Sequence, residues 1–256
     1  MKAAEASNRR RWARDLLLGD AMSLQVVPLE RRHVQNTARV LAQAMQVDAA
    51  YQYLFPDPEE RLAGLARLFA GNLRAHLPYR CTYVGVSDQG RIVATLTLRP
   101  PEGIVISKWT MLRSGMIGFA LAHGKQAVRR LLWLKATYDA LEAELAKSEP
   151  HWYVHMMAVG PDQQGLGLGT ELLAQVLSAR LSKRPDLHTV LTTHIPRNLF
   201  FYQRASFETA WQRSVEPPDG APYPVWGMTR EPLSASRALS PQVCPSNRRP
   251  KVTSDL

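Results

Sequence analysis

Residues 154–173 read VHMMAVGPDQQGLGLGTELL, and this stretch decides the fold that we expect. An apolar run ends at Val159, a turn containing Pro161 follows, and a Gly-rich loop leads into an apolar-periodic segment. This order predicts a strand, a loop and the start of a helix. Glycines leave the N–H groups of the loop uncovered, and a helix N-terminus attracts anions. The stretch therefore predicts a binding site for a phosphate or pyrophosphate.

Three types of phosphate-binding loop compete for this stretch. A P-loop has a Lys directly after its last Gly, whereas Thr170 follows Gly169 here. A dinucleotide fingerprint has the spacing G-x-G-x-x-G in the first unit of a βαβ repeat, and the spacing here is G-x-G-x-G. The third pattern, Q/R-x-x-G-x-G/A, is met by Gln164, Gly167 and Gly169. It resembles the acetyl-CoA loop of the GNAT superfamily of N-acetyltransferases, and a Gly-rich turn without a ligand stays open as the alternative.

A second stretch supports this resemblance. Residues 193–207 read THIPRNLFFYQRASF. The later GNAT motif places an Asn before an aromatic-rich helix that carries a Tyr four residues on and ends near a Phe. Asn198, Tyr202 and Phe207 stand at those positions, and Ser206 replaces the usual Gly.

A closer resemblance is to the puromycin N-acetyltransferase branch. It rests on the segments EPHWYVHMMAVGPDQQGLGLG, IPRNLFFYQRASF and VWGMTREP. It is strong over residues 149–232, moderate over 24–148 and absent in both terminal segments. It implies an α/β (α+β) chain with the GNAT acyl-CoA N-acyltransferase fold. In that fold a mixed central sheet of about seven strands splays at strands 4 and 5 and is flanked by helices.

Length and composition indicate one globular domain with an extension at each end. The chain has 256 residues, 45% of them hydrophobic, and a formal net charge of +10. We expect a flexible extension over 1–22, an N-acetyltransferase domain over 23–232 with a helical insert at 104–148, and a disordered tail over 233–256. Half of the excess positive charge lies in the two extensions, and a further basic run lies at 103–138. Because the charge is distributed in this way, a nucleic-acid partner is not favoured.

The sequence shows no sign of a membrane segment, a disulfide or a metal site. No apolar run reaches the roughly 18 residues that a transmembrane helix needs, and the apolar run at 16–18 is too short for a signal peptide. Cys81 falls in a predicted strand and Cys244 in the predicted tail, so a disulfide is not expected, and no metal-ligand spacing occurs. We expect a cytoplasmic protein that is a monomer or a homodimer and uses no metal.

Hydrophobic periodicity and turn residues predict the order of strands and helices. Strands are predicted at 24–29, 81–86, 91–98, 151–159, 187–193, 207–215 and 223–229. Helices are predicted at 32–45, 58–76, 104–147, 169–181 and 198–204, the third of them broken near 123–124. The segment DAAYQYLFPDPEER at 48–61 is predicted as an aromatic-rich loop.

The GNAT resemblance implies how acetyl-CoA is held. The pantetheine arm would lie along Met157, Ala158 and Val159 like an added strand, with a hydrogen bond to Asn198. The pyrophosphate would lie on the loop and helix start formed by Gln164, Gly165, Leu166, Gly167, Leu168, Gly169 and Thr170.

The reaction that the resemblance implies is direct attack of an acceptor amine on the thioester in a ternary complex. A backbone N–H near Met157 or Ala158 would stabilise the oxyanion. Tyr202 stands at the family's position for the acid that protonates the leaving thiolate. The alternative for Tyr202 is an amphipathic core aromatic whose hydroxyl lies at the surface.

The general base stays open between two residues. Alternate residues of a regular strand share a face, so the odd-numbered residues from Glu149 to His155 are expected to point the same way. His155 and Glu149 are the candidates, acting directly or through water. His194 is interpreted as a strand-end residue.

Tyr51, Tyr53 and Trp109 are the candidate acceptor-binding residues, and they suggest a ring-bearing amine. The alternative is local packing of these aromatics onto the core. We expect an acetyl-CoA-dependent N-acetyltransferase that acts on a primary amine of a small molecule, such as an antibiotic or another xenobiotic. The alternatives are a non-catalytic acyl-CoA-binding or sensing module and, more weakly, a nucleic-acid-associated protein.

Overall fold

A seven-stranded mixed sheet lies at the centre of the computed structural model, which describes residues 24–232. Its strands are β1 (Gln25–Pro28), β2 (Thr82–Val86), β3 (Ile92–Arg99), β4 (Trp152–Val159), β5 (Thr189–Thr193), β6 (Glu208–Val215) and β7 (Tyr223–Arg230). Their spatial order is β1-β2-β3-β4-β5-β7-β6, and all neighbours are antiparallel except β4 and β5. The mixed sheet expected from the sequence is confirmed, whereas the predicted extension and tail lie outside the described residues.

The parallel pair is joined over only part of its length. β4 and β5 pair at Trp152 with Thr189 and at Tyr153 with Val190. β4 then continues to Val159, and among the described residues nothing pairs with it on the β5 side. The two halves of the sheet therefore diverge, as the resemblance implies, and leave a slot with the free edge of β4 as one wall.

A bulge in β4 changes the face to which its side chains point. β3 pairs with Met156 and then with Val154, so His155 is the extra residue. Val154 packs in the core on one face of the sheet, whereas Met156 and Ala158 pack in the core on the other face. A regular strand would place Val154 and Met156 on the same face, so the alternation predicted from the sequence ends at this bulge.

Helices cover both faces of the sheet. They are α1 (Val34–Met45), α2 (Ala49–Leu54), α3 (Pro58–His76), α4 (Lys108–Ser114), α5 (Met116–Leu145), α6 (Leu168–Leu181) and α7 (Pro196–Gln203). α1 and α3 pack together over one face through Leu41 and Leu65, and α6 packs over the other face through Leu172 and Leu173. Within residues 24–232, no helix combines the length and the apolar character that a membrane span requires.

The segment 48–61 is not the loop that the sequence predicts, because it contains α2. Asp48 Oδ1 accepts a hydrogen bond from the backbone N–H of Ala50 at 2.9 Å, and this N-cap begins the helix. Six residues are too few for a periodic pattern to reveal a helix, so the N-cap is the signal that the prediction missed.

The insert at 104–148 forms two helices. The break between them and another break within the longer helix both lie at glycines. α4 ends and α5 begins at Gly115, where φ is 97°. α5 has one residue with non-helical angles, Gly124 with φ 71° and ψ 178°. The predicted break near 123–124 is therefore present, and the turn at Gly115 adds a second break that the sequence analysis did not anticipate.

Candidate active site

The slot between β4 and β5 opens into a cavity of about 1100 Å³. β4, the loop at 163–170 and α7 line one part of it, and α2, α3 and α5 line the other part. Sites for one small ligand are commonly about 300–1,000 Å³ in volume. The cavity therefore has room for a cofactor arm and a second small molecule together.

Most of the predicted cofactor residues line this cavity. They are Met157, Ala158, Val159, Gln164, Gly165, Gly167, Leu168, Gly169, Thr170, Asn198 and Tyr202. Leu166 is the exception, because its side chain is 59% exposed and lies outside the cavity. Only the main chain of Leu166 is available to an anion on the loop.

The loop before α6 presents backbone N–H groups that have no internal acceptor. Gly165 and Gly167 have φ of 84° and 81°, a left-handed conformation that other residues rarely adopt. Among the described residues, no backbone or side-chain acceptor contacts the N–H groups of 165–170. Gly167 is the N-cap of α6 and has no side chain to cap it, so the positive end of the helix is open. This geometry suits a phosphate anion.

Two further contacts hold the loop against the end of β4. A Cβ on Gly169 would lie 3.1 Å from Val159 Cγ2 and 3.4 Å from Phe201 Cε2, so any larger residue would require these side chains to shift by a few tenths of an ångström. The side-chain Nε2 of Gln164 donates a hydrogen bond to the carbonyl of Val159 at 3.1 Å. The side chain of Gln164 therefore occupies the last carbonyl of β4. The rest of the free edge of β4 remains for the ligand.

Tyr202 and Asn198 reach the cavity from α7. Tyr202 is buried against Phe201 and Phe207, with ring centroids 4.9 and 5.7 Å away, and burial raises the pKa of its hydroxyl well above the ordinary value. The phenol is therefore neutral at physiological pH and a weaker acid than an exposed tyrosine. Asn198 Nδ2 donates a hydrogen bond to Thr193 Oγ1 at 3.1 Å, which ties the helix start to the end of β5.

Ser206 explains why a glycine is usual at that point of the GNAT motif. The residue lies three positions after the end of α7, in the turn that follows it, and has a φ of 64°, which lies in the left-handed region. A chain leaving a helix in this conformation favours glycine. The departure from the motif therefore places a serine where the backbone is mildly strained.

His155 lines the cavity, but its surroundings oppose a positive charge. Its ring stacks on His76, with centroids 5.6 Å apart and planes at 21°. Burial, and then the neighbouring His76 and Arg99, lower the pKa of His155 well below the ordinary value. His155 is therefore neutral at physiological pH and a weak proton acceptor.

Glu149, the other predicted base, does not reach the cavity. It is exposed and lies in the turn between α5 and β4, where its backbone carbonyl accepts a hydrogen bond from His151 Nδ1 at 2.7 Å. β4 begins only at Trp152, and the slot extends from beyond Tyr153 to the end of the strand at Val159. Glu149 therefore lies before the start of β4, whereas His155 lies in the part of β4 that borders the slot.

The predicted acceptor residues divide between the cavity and the surroundings. Tyr51 lines the cavity and packs edge-on against Phe69, with centroids 5.2 Å apart. Tyr53 lies outside it, and its hydroxyl donates a hydrogen bond to Asp219 Oδ1 at 2.8 Å. Residues two positions apart in a helix lie about 200° apart around its axis, so Tyr51 and Tyr53 of α2 face opposite ways. Trp109 also lies outside the cavity, with 74% of its surface exposed on α4.

Three carboxylates line the cavity, and each has a cationic or histidine partner. Glu142 accepts from Arg99 Nη1 at 2.8 Å and contacts His151 Nε2 at 3.1 Å. Asp139 pairs with a lysine one helical turn earlier, Lys135. Among residues 24–232, no cluster of three His, Cys, Asp or Glu side chains is arranged to hold a metal ion.

The third carboxylate belongs to a pair that the sequence analysis missed. Asp48 Oδ2 accepts a hydrogen bond from His194 Nδ1 at 2.8 Å, and both residues line the cavity. The two residues are 146 positions apart, so no spacing in the sequence links them. The available signal was the place of His194 directly after a parallel strand, because ligands of open α/β sheets bind beyond the carboxyl ends of the strands.

Comparisons with known proteins identify the family. A family model described as acetyltransferase (GNAT) family matches residues 47–207. A structure described as histone acetyltransferase HPA2 and related acetyltransferase, from Corynebacterium glutamicum, is similar at 20% identity and TM-score 0.52, with 82% of this chain and 97% of that chain covered.

Two insect enzymes have a similar fold. The polyamine N-acetyltransferase of Drosophila melanogaster is 18% identical with a TM-score of 0.51, and the alignment covers 82% of this chain and all of that chain (100%). Arylalkylamine N-acetyltransferase 2 of Aedes aegypti is 12% identical with a TM-score of 0.52, covering 82% and 99%. Identities of this size show a shared fold, whereas the family model spans more than half of the chain. Because of that match, the splayed strands and the open Gly-rich loop, the chain belongs to the GNAT family of acetyltransferases.

Proposed function

We propose that this GNAT protein transfers the acetyl group of acetyl-CoA to a primary amine of a small molecule, in a ternary complex. The observation that carries the proposal is the row of backbone N–H groups at 165–170, which border the cavity without acceptors at the N-terminus of α6. The pyrophosphate lies on this row, from Gln164 to Thr170. The pantetheine arm runs along the free edge of β4 at 157–159, within reach of Asn198.

Acyl transfer in this arrangement needs no covalent intermediate. An N–H of the free edge near Met157 or Ala158 stabilises the oxyanion as the amine attacks the thioester carbon. The leaving thiolate belongs to a thiol with a pKa of about 8.5, which an acid as weak as a phenol can protonate. We assign this role to Tyr202 because it lines the cavity at the position of the acid in the GNAT motif, and its hydroxyl is protonated before the thiolate forms.

The acceptor occupies the part of the cavity lined by Tyr51 and by the insert helix α5. Two observations define the amines to be tested. The fold is shared with enzymes named for polyamines and arylalkylamines. The motif segments resemble the puromycin N-acetyltransferase branch, which adds aminonucleosides and other xenobiotic amines.

A pair of glycine variants tests the cofactor site. Gly167→Ala places a methyl group in the cavity over the loop amides, and Gly90→Ala is its match in the hairpin between β2 and β3. Gly90 has a similar φ of 72°, and a Cβ at either position meets nothing within 4 Å. Both variants should lose roughly 1 kcal/mol of unfolding free energy because of the positive φ. Calorimetry should show the Kd for acetyl-CoA raised about tenfold in Gly167→Ala and unchanged in Gly90→Ala.

Transfer itself is tested by thiol release from acetyl-CoA with agmatine, spermidine, tryptamine and an aminonucleoside. Release of free coenzyme A together with the acetylated amine is the expected result. Binding of acetyl-CoA without transfer to any amine would instead fit a non-catalytic acyl-CoA-binding module. Equal loss of affinity in the two glycine variants would remove the loop from the cofactor site.

A further inference from the structure

His194 and Asp48 form a hydrogen-bonded pair at the edge of the cavity. His194 follows β5 directly, and Asp48 directly precedes α2. His194 Nδ1 and Asp48 Oδ2 are 2.8 Å apart, and the two side chains are 13% and 12% exposed. A carboxylate can only accept a hydrogen bond, so Nδ1 of His194 carries the proton and Nε2 presents its lone pair.

The lone pair on Nε2 has no partner. Among the described residues no donor contacts this atom, and its accessible area is below 1 Å². Buried polar atoms are nearly always hydrogen-bonded, so an unpartnered one calls for a ligand or a chemical role. Solvent does not reach Nε2 in this conformation, so an amine contacts this atom only after side chains at the cavity rearrange.

The remaining contacts of His194 fix the plane of its ring. Tyr138 packs against it at 5.2 Å with planes at 66°, and Tyr223 packs at 5.7 Å with planes at 90°. The hydroxyls of the two tyrosines are 3.0 Å apart. Asp48, Tyr138 and Tyr223 are the titratable groups in contact with the imidazole.

We propose that His194, oriented by Asp48, is the general base that takes a proton from the acceptor amine. The inference rests on the acetyl transfer proposed above. His194 lies on the same short segment as Asn198 and Tyr202, and all three line the cavity that the acceptor must enter. Burial, and then His76 and Arg99, oppose proton uptake by His155, whereas His194 has the Asp48 carboxylate in hydrogen-bond contact at 2.8 Å.

The protons in this scheme balance. The acceptor arrives as an ammonium ion, and Nε2 of His194 takes one proton, which frees the nitrogen lone pair. The nitrogen attacks the thioester carbon, a C–N bond forms, and the C–S bond breaks as the tetrahedral intermediate collapses. The sulfur leaves with the electron pair and takes a proton from Tyr202. The second proton lost by the nitrogen restores that hydroxyl through solvent, and the imidazolium releases its proton to solvent.

The test compares His194→Gln with His188→Gln in the full chain. His188 directly precedes β5 and stacks on His151 outside the cavity, so it matches His194 at the opposite end of the strand. Turnover is measured with the panel amine that the unmodified protein acetylates fastest. At pH 7 we expect His194→Gln to lower kcat about 100-fold and His188→Gln to leave it unchanged. The deficit should shrink as the pH rises, because more of the amine loses its proton in solution.

Acetyl-CoA affinity separates this proposal from the function on which it rests. Calorimetry should give His194→Gln the same Kd for acetyl-CoA as the unmodified protein. If the unmodified protein acetylates no amine, the proposed function and the base both fall. If it is active and His194→Gln keeps its kcat, or loses the same factor at every pH in step with a lower melting temperature, only the base assignment falls.

Asp48→Asn is the second variant, and it tests the proposal if the His194→Gln protein does not fold. An Asn still caps α2 through its side-chain oxygen, but it no longer stabilises a charged imidazolium. We expect kcat to fall about tenfold, with the low-pH limb of kcat/KM displaced relative to the unmodified protein. Asp48→Glu should restore part of the loss. An unchanged pH profile in Asp48→Asn would overturn the positioning role and, with it, the assignment of His194.

Discussion

Two tyrosines show how surroundings decide what the same phenol can do. Tyr202 is packed against aromatic rings beside the cavity, and among the described residues its hydroxyl has no hydrogen-bond partner. The hydroxyl of Tyr53 is occupied by Asp219, and the ring lies under the guanidinium of Arg130, 5.2 Å from its carbon. Tyr202 can therefore give its proton to a ligand, whereas Tyr53 holds parts of the fold together.

The two phenylalanine variants should separate these roles. Tyr202→Phe should lower kcat by about 10²-fold while the Kd for acetyl-CoA stays within about twofold, because the ring still packs and only the acid is lost. Tyr53→Phe should leave kcat unchanged and lower the free energy of unfolding by roughly 1 kcal/mol, since one hydrogen bond is lost. Steady-state kinetics and urea unfolding measure both. Normal turnover in Tyr202→Phe would exclude it as the acid.

Among the elements, the loop between β6 and β7 is fastened to two helices by one carboxylate. Asp219 Oδ2 accepts from Arg130 of α5 at 2.9 Å, and Oδ1 accepts from Tyr53 of α2 at 2.8 Å. Gln126, one turn before Arg130, adds a contact at 3.2 Å. The insert helix is thereby held over the side of the cavity where the acceptor is proposed to lie.

This carboxylate makes the stability of the fold depend on pH. Arg130, and then Tyr53, hold the pKa of Asp219 at about 2, below the ordinary value of 3.8. A pKa lowered by folding stabilises the native state above the ordinary pKa, and this stabilisation is lost as the pH falls through that range. Above pH 5, Asp219→Asn should therefore have a lower melting temperature than the unmodified protein. The difference in melting temperature should narrow between about pH 4 and pH 2.

Asp162→Asn is the control for this prediction. Asp162 is exposed in the turn after β4 and has no ion-pair partner among the described residues. The difference in melting temperature between Asp162→Asn and the unmodified protein should be small and should not change over the same pH range. A difference for Asp219→Asn that does not change with pH would mean that the ion pair is not the cause.

Among residues 24–232, the two halves of the sheet pair with each other at only two positions. β1 to β4 form one half and β5 to β7 the other, joined through Trp152 and Tyr153. A pantetheine arm along the free edge of β4 would fill the slot and connect to α7 on the far side. Ligand binding should therefore reduce the local opening of both walls.

Hydrogen exchange measured by mass spectrometry tests this expectation. With saturating acetyl-CoA, peptides that cover 154–159 and 165–170 should exchange more slowly, because their free N–H groups gain acceptors. The β2–β3 hairpin peptide around Gly90, whose N–H already bonds to Ser87 at 2.8 Å, should be unchanged. Uniform slowing over the entire chain would indicate general stabilisation rather than a ligand in the slot.

The proposed cofactor site could be predicted from the sequence alone. The loop depends on Gln164, Gly167 and Gly169, and its strand and helix are contiguous in the chain. Local rules therefore suffice to predict the strand, the turn and the open helix N-terminus. The motif around Asn198 and Tyr202 is also one continuous segment; the sequence pattern predicted its helix, and the GNAT resemblance implied its place at the site.

The packing of distant segments determines which residues line the part of the cavity proposed for the acceptor. The helical phase of α2 turns Tyr51 into the cavity and Tyr53 away from it, and the short length of α2 hides that phase from the sequence. The bulge at His155 is set by pairing with β3, which lies more than fifty residues earlier. Asp48 meets His194 because α2 packs beside the end of β5. Contacts between distant segments depend on how the elements pack, and no local pattern of residues encodes them.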